Sequence, residues 1–189
     1  MSRMHIAHSE RLLVVVGPSG AGKDSVLAAW RARLQGHDVH FARRVITRAA
    51  HGSEGHESVS DEDFRRLLAA GELATWWQAH GLCYGVRHSE LAALGRGGWA
   101  VLNGSRAHLP RLRQQAPQLH AVKITAPPAT LSCRLAERAR EEPLAVARRL
   151  ARRIEVPVAL ELCNAQALHL TVDALHAWWL RRARAAAAA

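Results

Sequence analysis

One glycine-rich segment constrains this chain more than any other feature of its sequence. It follows the apolar run Leu12–Val16 and precedes a helical pattern that begins near Lys23. A buried strand, a glycine-rich turn and a helix, in this order, form the setting of a phosphate-binding loop, and the spacing from Gly17 to Lys23 fits the Walker A pattern. Glycines let the backbone close around a phosphate, its N–H groups form an anion nest, and the helix N-terminus adds partial positive charge. The residues predicted to bind the phosphates are Gly17, Pro18, Ser19, Gly20, Ala21, Gly22, Lys23, Asp24 and Ser25.

The lysine and the residue after it predict how this loop binds a nucleotide and a metal ion. Lys23 is placed to reach the β- and γ-phosphates of ATP as a mobile cation. At the next position, where a Ser or Thr hydroxyl usually binds Mg²⁺, this chain has Asp24, followed by Ser25. Because a carboxylate is a good hard-oxygen ligand, Asp24 and Ser25 are the candidate Mg²⁺ ligands. The alternative is that Asp24 caps the helix or pairs with a neighbouring side chain.

Length and hydropathy limit the possible architectures. The chain has 189 residues, enough for one α/β domain with small inserted subdomains. Its longest strongly apolar stretch, Leu12–Val16, is far too short to cross a bilayer, and residues 1–11 lack the apolar core of a signal peptide. Its cysteines, Cys83, Cys133 and Cys163, have neither a disulfide pattern nor zinc-ligand spacing. We therefore expect a soluble, cytoplasmic protein with no membrane association.

The charge of the chain favours a polyanionic ligand. Its formal net charge is +10, which fits nucleic acid, a membrane surface or a small polyanionic substrate. The arginines cluster within residues 43–48 and 134–153, in segments that look folded, and few aromatic residues are interleaved with them. This distribution favours ligands for the phosphates of a small substrate, so we expect no nucleic-acid partner. A nucleic-acid-binding protein is an alternative that charge alone suggests.

Strands and helices alternate along the chain, which predicts an α/β fold with an open parallel sheet. The predicted strands cover residues 12–16, 39–47, 99–102, 120–125 and 160–162, with a hairpin-like pair at 73–77 and 83–86 and a loop at 49–60. The predicted helices cover residues 23–34, 60–70, 89–94, 110–115, 129–140, 144–156 and 170–184, followed by a frayed alanine tail.

Ligands of such sheets bind beyond the carboxyl ends of the strands. One strand ends in the glycine-rich loop, and another ends in Asn103-Gly104-Ser105-Arg106. Enzymes with this kind of loop usually carry a metal-organising acid at a neighbouring strand end. Because Asn103 is neutral, we hypothesise that the negative charge near the metal has moved to Asp24. Arg106 and, from another strand, Arg44 are candidate ligands for a substrate phosphate.

Further motifs recur in a known family. They are Thr47-Arg48, Gly71-Glu72-Leu73, Trp76 and Tyr84-Gly85 in the middle of the chain, and Arg134-Leu135, Arg138 and Arg149-Leu150 near its C-terminal third. Together with the glycine-rich loop, they resemble the guanylate-kinase branch of the nucleoside-monophosphate kinases over most of the chain. The resemblance implies a P-loop NTPase-type parallel sheet sandwiched by helices. It implies one domain over residues 1–189, with an acceptor-binding insertion at about 48–94 and a lid at about 131–153.

The same resemblance implies roles for individual residues. The loop would grip the phosphates of ATP together with Arg134 from the lid region. Arg138 and Arg149 would contact the transferring phosphoryl group, so that these two arginines and Lys23 are the candidate catalytic residues. Arg48 and Tyr84 would hold the phosphate of the acceptor, and Arg44 and Arg106 join them as candidate substrate ligands.

Two departures from the guanylate-kinase pattern narrow the substrate. The glutamate that reads guanine in that family aligns with Thr75, and the hydroxyl residue after Tyr-Gly aligns with Val86. A site without polar partners for a base cannot discriminate that base strongly. The segments at residues 17–24, 43–48, 77–82 and 103–106 resemble a smaller group, the ribose 1,5-bisphosphate phosphokinases of phosphonate degradation. This resemblance implies transfer of the ATP γ-phosphoryl group to the 1-phosphate of ribose 1,5-bisphosphate, giving 5-phosphoribosyl 1-diphosphate and ADP.

Two alternatives of different kinds stay open. The first is a guanylate kinase or another nucleoside-monophosphate kinase, which Thr75 and Val86 disfavour. The second is a non-catalytic guanylate-kinase-like binding module, which Lys23, Arg138 and Arg149 disfavour because such modules typically lose these cations. The expected ligands are ATP, Mg²⁺ and a small phosphorylated sugar. The sequence leaves the oligomeric state open, with a homodimer among the alternatives.

Overall fold

Two β-sheets form the framework of the protein over residues 5–48, 55–79, 81–137 and 154–188, which the computed structural model describes. The strands in chain order are β1 (Leu12–Val16), β2 (Val39–Phe41), β3 (Arg44–Ile46), β4 (His56–Ser58), β5 (Leu73–Ala79), β6 (Leu82–Arg87), β7 (Trp99–Asn103), β8 (His120–Thr125) and β9 (Leu160–Cys163). The α-helices are α1 (Lys23–Arg33), α2 (Asp61–Ala69), α3 (Ala92–Gly95), α4 (Leu109–Gln115), α5 (Pro128–Glu137) and α6 (Leu168–Ala187). Short 3₁₀ helices cover Ser9–Arg11 and His88–Leu91.

The larger sheet confirms the predicted parallel α/β architecture. Its five strands pair in parallel in the order β2-β7-β1-β8-β9. All residues of the central strand β1 are buried, as expected for a strand covered on both faces. Leu13 and Val15 pack into a core that includes Trp30 of α1 and Trp179 of α6. The alternate side chains of β1 pack on the opposite face, in a core shared with Leu112 of α4.

The smaller sheet is formed by residues between Arg44 and Arg87, in the order β4-β3-β6-β5. Strands β5 and β6 are antiparallel, which confirms the predicted hairpin-like pair. Helix α2 covers this sheet by packing Phe64 against Leu73 and neighbouring apolar side chains. The helix begins as predicted, because the Ser60 Oγ accepts a hydrogen bond from the N–H of Asp63 at 3.0 Å.

Several predicted elements differ from the structure. The strand predicted over residues 39–47 was wrong, because the chain leaves the larger sheet after β2 and enters the smaller one at β3. The predicted loop at 49–60 contains the short strand β4. The last helix does not fray at residue 184 but continues to Ala187, where the Arg11 guanidinium donates to the carbonyl of Ala186 at 2.9 Å. Residues 154–156 are not helical, and the rest of the predicted 144–156 helix lies outside the described residues.

The described part of the chain contains no helix that is both long enough and apolar enough to cross a membrane.

Most of the predicted lid, residues 138–153, lies outside the described residues.

Candidate active site

The glycine-rich loop lies between β1 and α1, at the carboxyl edge of the larger sheet, as predicted. Gly22 has φ of +83°, a left-handed conformation that side chains rarely adopt. A Cβ atom at Gly22 would overlap the side-chain amide of Asn164, and one at Gly17 would overlap the carbonyl oxygen of Ile124. The neighbouring strand ends β8 and β9 therefore press against the loop so closely that only glycine fits at these two positions.

Lys23 extends back over the loop that precedes it. Its Nζ donates to the carbonyl oxygens of Gly17 and Pro18, each at 3.0 Å. The ammonium group is thus held at the mouth of the anion nest, within reach of a phosphate that enters the loop. This position fits the predicted role of Lys23 as a cation for the nucleotide phosphates.

Asn164 anchors the loop from the side, a role that the sequence analysis missed. This buried side chain donates from Nδ2 to the carbonyl oxygen of Ala21 at 2.9 Å and accepts a hydrogen bond from Thr171 at 3.3 Å. Its backbone N–H donates to Thr125 at the end of β8, at 2.7 Å. In the sequence, this role could have been recognised from a polar residue that directly follows β9, at the same sheet edge as the loop.

Asp24 and Asn103 meet at the start of α1, where the sequence analysis connected them. The Asn103 Nδ2 donates to the Asp24 Oδ1 at 2.6 Å, and an Arg44 guanidinium nitrogen lies 4.0 Å from the same oxygen. The Asp24 side chain is 71% exposed, so its second oxygen remains open to solvent. The Asn103 Oδ1 is buried without a hydrogen-bond partner among the described residues.

These oxygens fit a magnesium ion that arrives with a nucleotide. No group of three or more His, Cys, Asp or Glu side chains in the described ranges could hold a metal ion by itself. Mg²⁺ bound with a nucleotide needs only one or two protein oxygens, because phosphates and water supply the rest. The Asp24 carboxylate, the exposed Ser25 hydroxyl and the Asn103 amide oxygen are hard ligands of the required kind.

A cluster of cationic and aromatic side chains faces Asp24 from the smaller sheet. The Arg44 guanidinium lies over the Tyr84 ring at 5.9 Å from its centroid. His56 is the register partner of Arg44 on the neighbouring strand. Burial lowers the pKa of Arg44, and burial together with the charges of Arg44 and Arg48 lowers the pKa of His56. Arg48 also lines a cleft of about 470 Å³, whose other charged lining residues are Asp61 and Asp63. The positive charge that suits a phosphorylated ligand therefore lies at Arg44, Arg48 and His56 rather than along the whole cleft.

Thr75 and Val86 do not offer polar groups to this cleft. Val86 is fully buried, and the Thr75 hydroxyl is engaged by His108 Nε2 at 2.7 Å and by Gln115 Oε1 at 2.9 Å. Burial and the neighbouring Arg111 charge lower the pKa of His108 to about 4. The Thr75 hydroxyl therefore belongs to a buried hydrogen-bond network with His108 and Gln115.

The remaining predicted arginines are placed in different ways. Arg134 of α5 reaches the loop, with its guanidinium close to the position that a Cβ of Gly22 would occupy. Its Nη1 is buried and has no hydrogen-bond partner in the described part of the chain. Arg106 is half-buried in the turn after β7, and burial lowers its pKa. Arg138 and Arg149 lie outside the described residues.

Comparison with known proteins identifies the family. No family model matches the chain. A ribose 1,5-bisphosphate phosphokinase PhnN of Acidiphilium cryptum is 48% identical over 146 residues, which are 76% of this chain and 77% of that protein. The chain belongs to the ribose 1,5-bisphosphate phosphokinase PhnN family. The family member of Rhizobium etli is 44% identical over 143 residues, 75% of this chain and 73% of the relative.

Some relatives in this family are considerably longer. The chain spans 33% of the length of the PhnN protein of Janthinobacterium sp. (strain Marseille), to which it is 44% identical over 151 residues. It spans 42% of the relative from Laribacter hongkongensis. The matching region therefore occurs both as most of a protein and as one part of a larger one.

The fold of the chain is similar to that of guanylate kinase. A crystal structure of guanylate kinase from Anaplasma phagocytophilum superimposes with a TM-score of 0.67 at 19% identity, covering 96% of this chain and 87% of that one. At this identity the similarity establishes the fold alone. It confirms the guanylate-kinase-like α/β fold that the motifs predicted.

Proposed function

We propose that this protein transfers the γ-phosphoryl group of ATP to the 1-phosphate of ribose 1,5-bisphosphate, giving 5-phosphoribosyl 1-diphosphate and ADP. The observation that carries the proposal is that two sites face each other, one at the carboxyl edge of the larger sheet and one in the smaller sheet. A phosphate-binding loop faces the cationic cluster of Arg44, Arg48 and His56, while the positions that would read a base hold Thr75, which is engaged elsewhere, and buried Val86. The names of the relatives in the family agree with this assignment.

On the donor side, the loop backbone and Lys23 would bind the β- and γ-phosphates of ATP. Lys23 already lies over the loop through its bonds to Gly17 and Pro18. Arg134 would add a guanidinium beside Gly22, and its buried Nη1 offers a donor for a phosphate oxygen. Binding of an anion satisfies these cations and the backbone N–H groups together.

For the metal, Asp24 and Ser25 would hold Mg²⁺, with Asn103 orienting the carboxylate through its 2.6 Å hydrogen bond. When bound, the ion neutralises charge on the phosphate oxygens. The alternative for Asp24, pairing with a neighbour, is compatible with this role because only one of its oxygens carries the Asn103 and Arg44 contacts.

On the acceptor side, Arg44, Arg48 and Tyr84 would position the acceptor so that its 1-phosphate oxygen attacks the γ-phosphorus, with Arg106 as a further phosphate ligand. A bond forms between that oxygen and the γ-phosphorus. The bond from the γ-phosphorus to the β–γ bridging oxygen breaks, and ADP leaves with the electron pair. An acceptor phosphate is ionised at neutral pH, so no general base is needed. The protein's task is to bring two polyanions together and to offset their repulsion.

We assign the transition-state contacts to Arg138 and Arg149, on the resemblance of their spacing to the guanylate-kinase lid. In this proposal residues 1–189 form one kinase domain, in which residues 48–94 bind the acceptor and residues 131–153 close over both substrates. Closure would exclude water, which otherwise competes as a phosphoryl acceptor.

The test is a coupled ADP-release assay with Mg-ATP and one acceptor at a time. Ribose 1,5-bisphosphate, ribose 5-phosphate, GMP and AMP are offered separately. The proposal predicts turnover with ribose 1,5-bisphosphate and less than about one hundredth of that rate with the other three. Faster turnover with GMP than with the bisphosphate would make the protein an atypical guanylate kinase and refute the proposal.

A further inference from the structure

Four side chains from separate elements form a continuous stacked row that ends near Asp24. Trp77 stacks on Tyr84, with ring centroids 5.4 Å apart and planes 6° apart, and on His108, at 5.0 Å and 18°. The Arg44 guanidinium lies over the Tyr84 ring. The stacked row, His108, Trp77, Tyr84 and Arg44, thus leads from the buried start of α4 to the cluster that faces Asp24.

The buried end of the stacked row is fixed by hydrogen bonds. The Thr75 hydroxyl donates its single hydrogen to Gln115 Oε1, so it must accept from His108, whose Nε2 therefore carries the proton. The pKa of His108, lowered to about 4 by burial and the Arg111 charge, keeps the ring neutral at physiological pH. A neutral imidazole held in one orientation is a fixed surface on which the Trp77 indole packs.

The row leaves no free aromatic surface for a nucleobase. Trp77 is only 6% exposed and stacks on two rings, and Tyr84 is covered by Trp77 and Arg44. Proteins commonly hold bases by stacking them on aromatic side chains, and this interaction tolerates any base because every base has a π-face. A phosphorylated sugar has no such face, so it loses no binding free energy at a site where the aromatic rings are already covered.

We propose that Trp77 determines acceptor specificity in two ways. It occupies a volume of the size of a bicyclic purine, and it holds Tyr84 and Arg44 in position for the acceptor phosphate. Trp77 is a positioning residue here, because it acts through Tyr84 and Arg44. This inference rests on the proposed function, since it explains how the site accepts a sugar bisphosphate while rejecting a nucleotide.

The purely structural alternative makes a different prediction. If Trp77 only fills the core, its removal lowers stability and the amount of active enzyme but leaves the relative affinities for different acceptors unchanged. Two quantities that do not depend on the amount of active enzyme separate the cases. They are the KM for ribose 1,5-bisphosphate and the inhibition constant of GMP as its competitor.

The experiment compares Trp77→Ala with Trp76→Ala. Trp76 lies next to it on the same strand but is not part of the stacked row, because it packs against the core beneath α2 and under the Arg111 guanidinium, which lies 5.2 Å from its ring centroid. Trp77→Ala opens a slot beside Tyr84 and His108 and should raise the KM for the bisphosphate by about tenfold or more. It should lower the ratio of the GMP inhibition constant to that KM by about a hundredfold. For Trp76→Ala, the KM for the bisphosphate and the ratio of the GMP inhibition constant to that KM should both stay within about twofold of wild type. The KM for ATP should stay within about twofold of wild type in both variants.

The outcomes separate this inference from the proposed function. If the wild type does not use ribose 1,5-bisphosphate, the proposed function fails. If it does, and Trp77→Ala leaves the ratio within about twofold of wild type, the inference on Trp77 alone is overturned. Should Trp77→Ala not fold, Trp77→Leu replaces it, with Trp76→Leu as its control. The Leu variant is expected to lower the ratio by about tenfold, and an unchanged ratio overturns the inference in the same way.

Discussion

Acidification should destabilise this protein, and His108 should account for a measurable share of the loss. Burial is the main cause that lowers the pKa of His108 to about 4, whereas the unperturbed value is 6.5. Between these values the unfolded chain binds a proton that the folded chain excludes. The stabilisation is therefore complete above pH 6.5 and is lost as the pH falls toward 4. From pH 7.5 to pH 5 this linkage amounts to about 2 kcal/mol of unfolding free energy.

The variant His108→Gln isolates this contribution. Its amide does not titrate but can still bond to Thr75. The pKa values of His56, His120 and His176 are also lowered, mainly by burial, and their contributions should be similar in both proteins. Urea unfolding at pH 7.5, 6.5 and 5, followed by circular dichroism, gives the unfolding free energies. The variant should be less stable at pH 7.5 but lose about 2 kcal/mol less than wild type down to pH 5. An equal loss in the two proteins would refute the reasoning.

Three substitutions test the donor site. Lys23→Met should lower kcat by at least about a hundredfold with little change in Tm; a kcat near that of wild type would remove Lys23 from the mechanism. Asp24→Asn keeps the side chain's size but removes its charge, so the Mg²⁺ concentration that gives half-maximal rate should rise by about tenfold; an unchanged Mg²⁺ dependence would contradict a metal role. Gly22→Ala should lower the unfolding free energy by about 1–3 kcal/mol and raise the KM for ATP, because the new Cβ overlaps Asn164. Gly36→Ala has a similar φ of +86° with open space around it, so it should cost less stability and leave the KM unchanged; equal effects would argue against the overlap.

The elements that could be predicted correctly are those that depend on residues close together in the sequence. The loop and its flanking strand and helix could be predicted because glycine spacing and an apolar run are read within a few residues. The meeting of Asp24 and Asn103 was inferred from the rule that parallel strands end at one edge, and the 2.6 Å hydrogen bond between them agrees with it.

The errors have non-local causes. The change of sheet within residues 39–47 is invisible in the sequence because both halves look like strand. It depends on pairing with distant residues, such as the bond from the Ala42 N–H to the carbonyl of Val101. Strand β4 was missed because three residues next to a glycine-rich segment carry little strand signal. The last helix was predicted too short because the tertiary contact of Arg11 with Ala186 could not be foreseen.

The stacked row escaped prediction for the same reason. Its members come from β3, β5, β6 and the start of α4. Trp77 and Tyr84 are register partners in the predicted hairpin, but no spacing rule connects them with Arg44 and His108. Trp77 is buried, as a packing residue is, and its alignment with Tyr84 and Arg44 emerges only when β3, β5 and β6 pair in the smaller sheet. The roles of Arg138 and Arg149 stay predictions from the family resemblance.

The identity of the product tests the central claim most directly. Wild-type protein is incubated with Mg-ATP and ribose 1,5-bisphosphate, and the mixture is followed by ³¹P NMR. The account predicts that the 1-phosphate signal is replaced by two coupled diphosphate signals, that the 5-phosphate signal persists, and that ADP accumulates in equal amount. ADP formed together with inorganic phosphate, with the bisphosphate unchanged, would identify an ATPase and contradict the account.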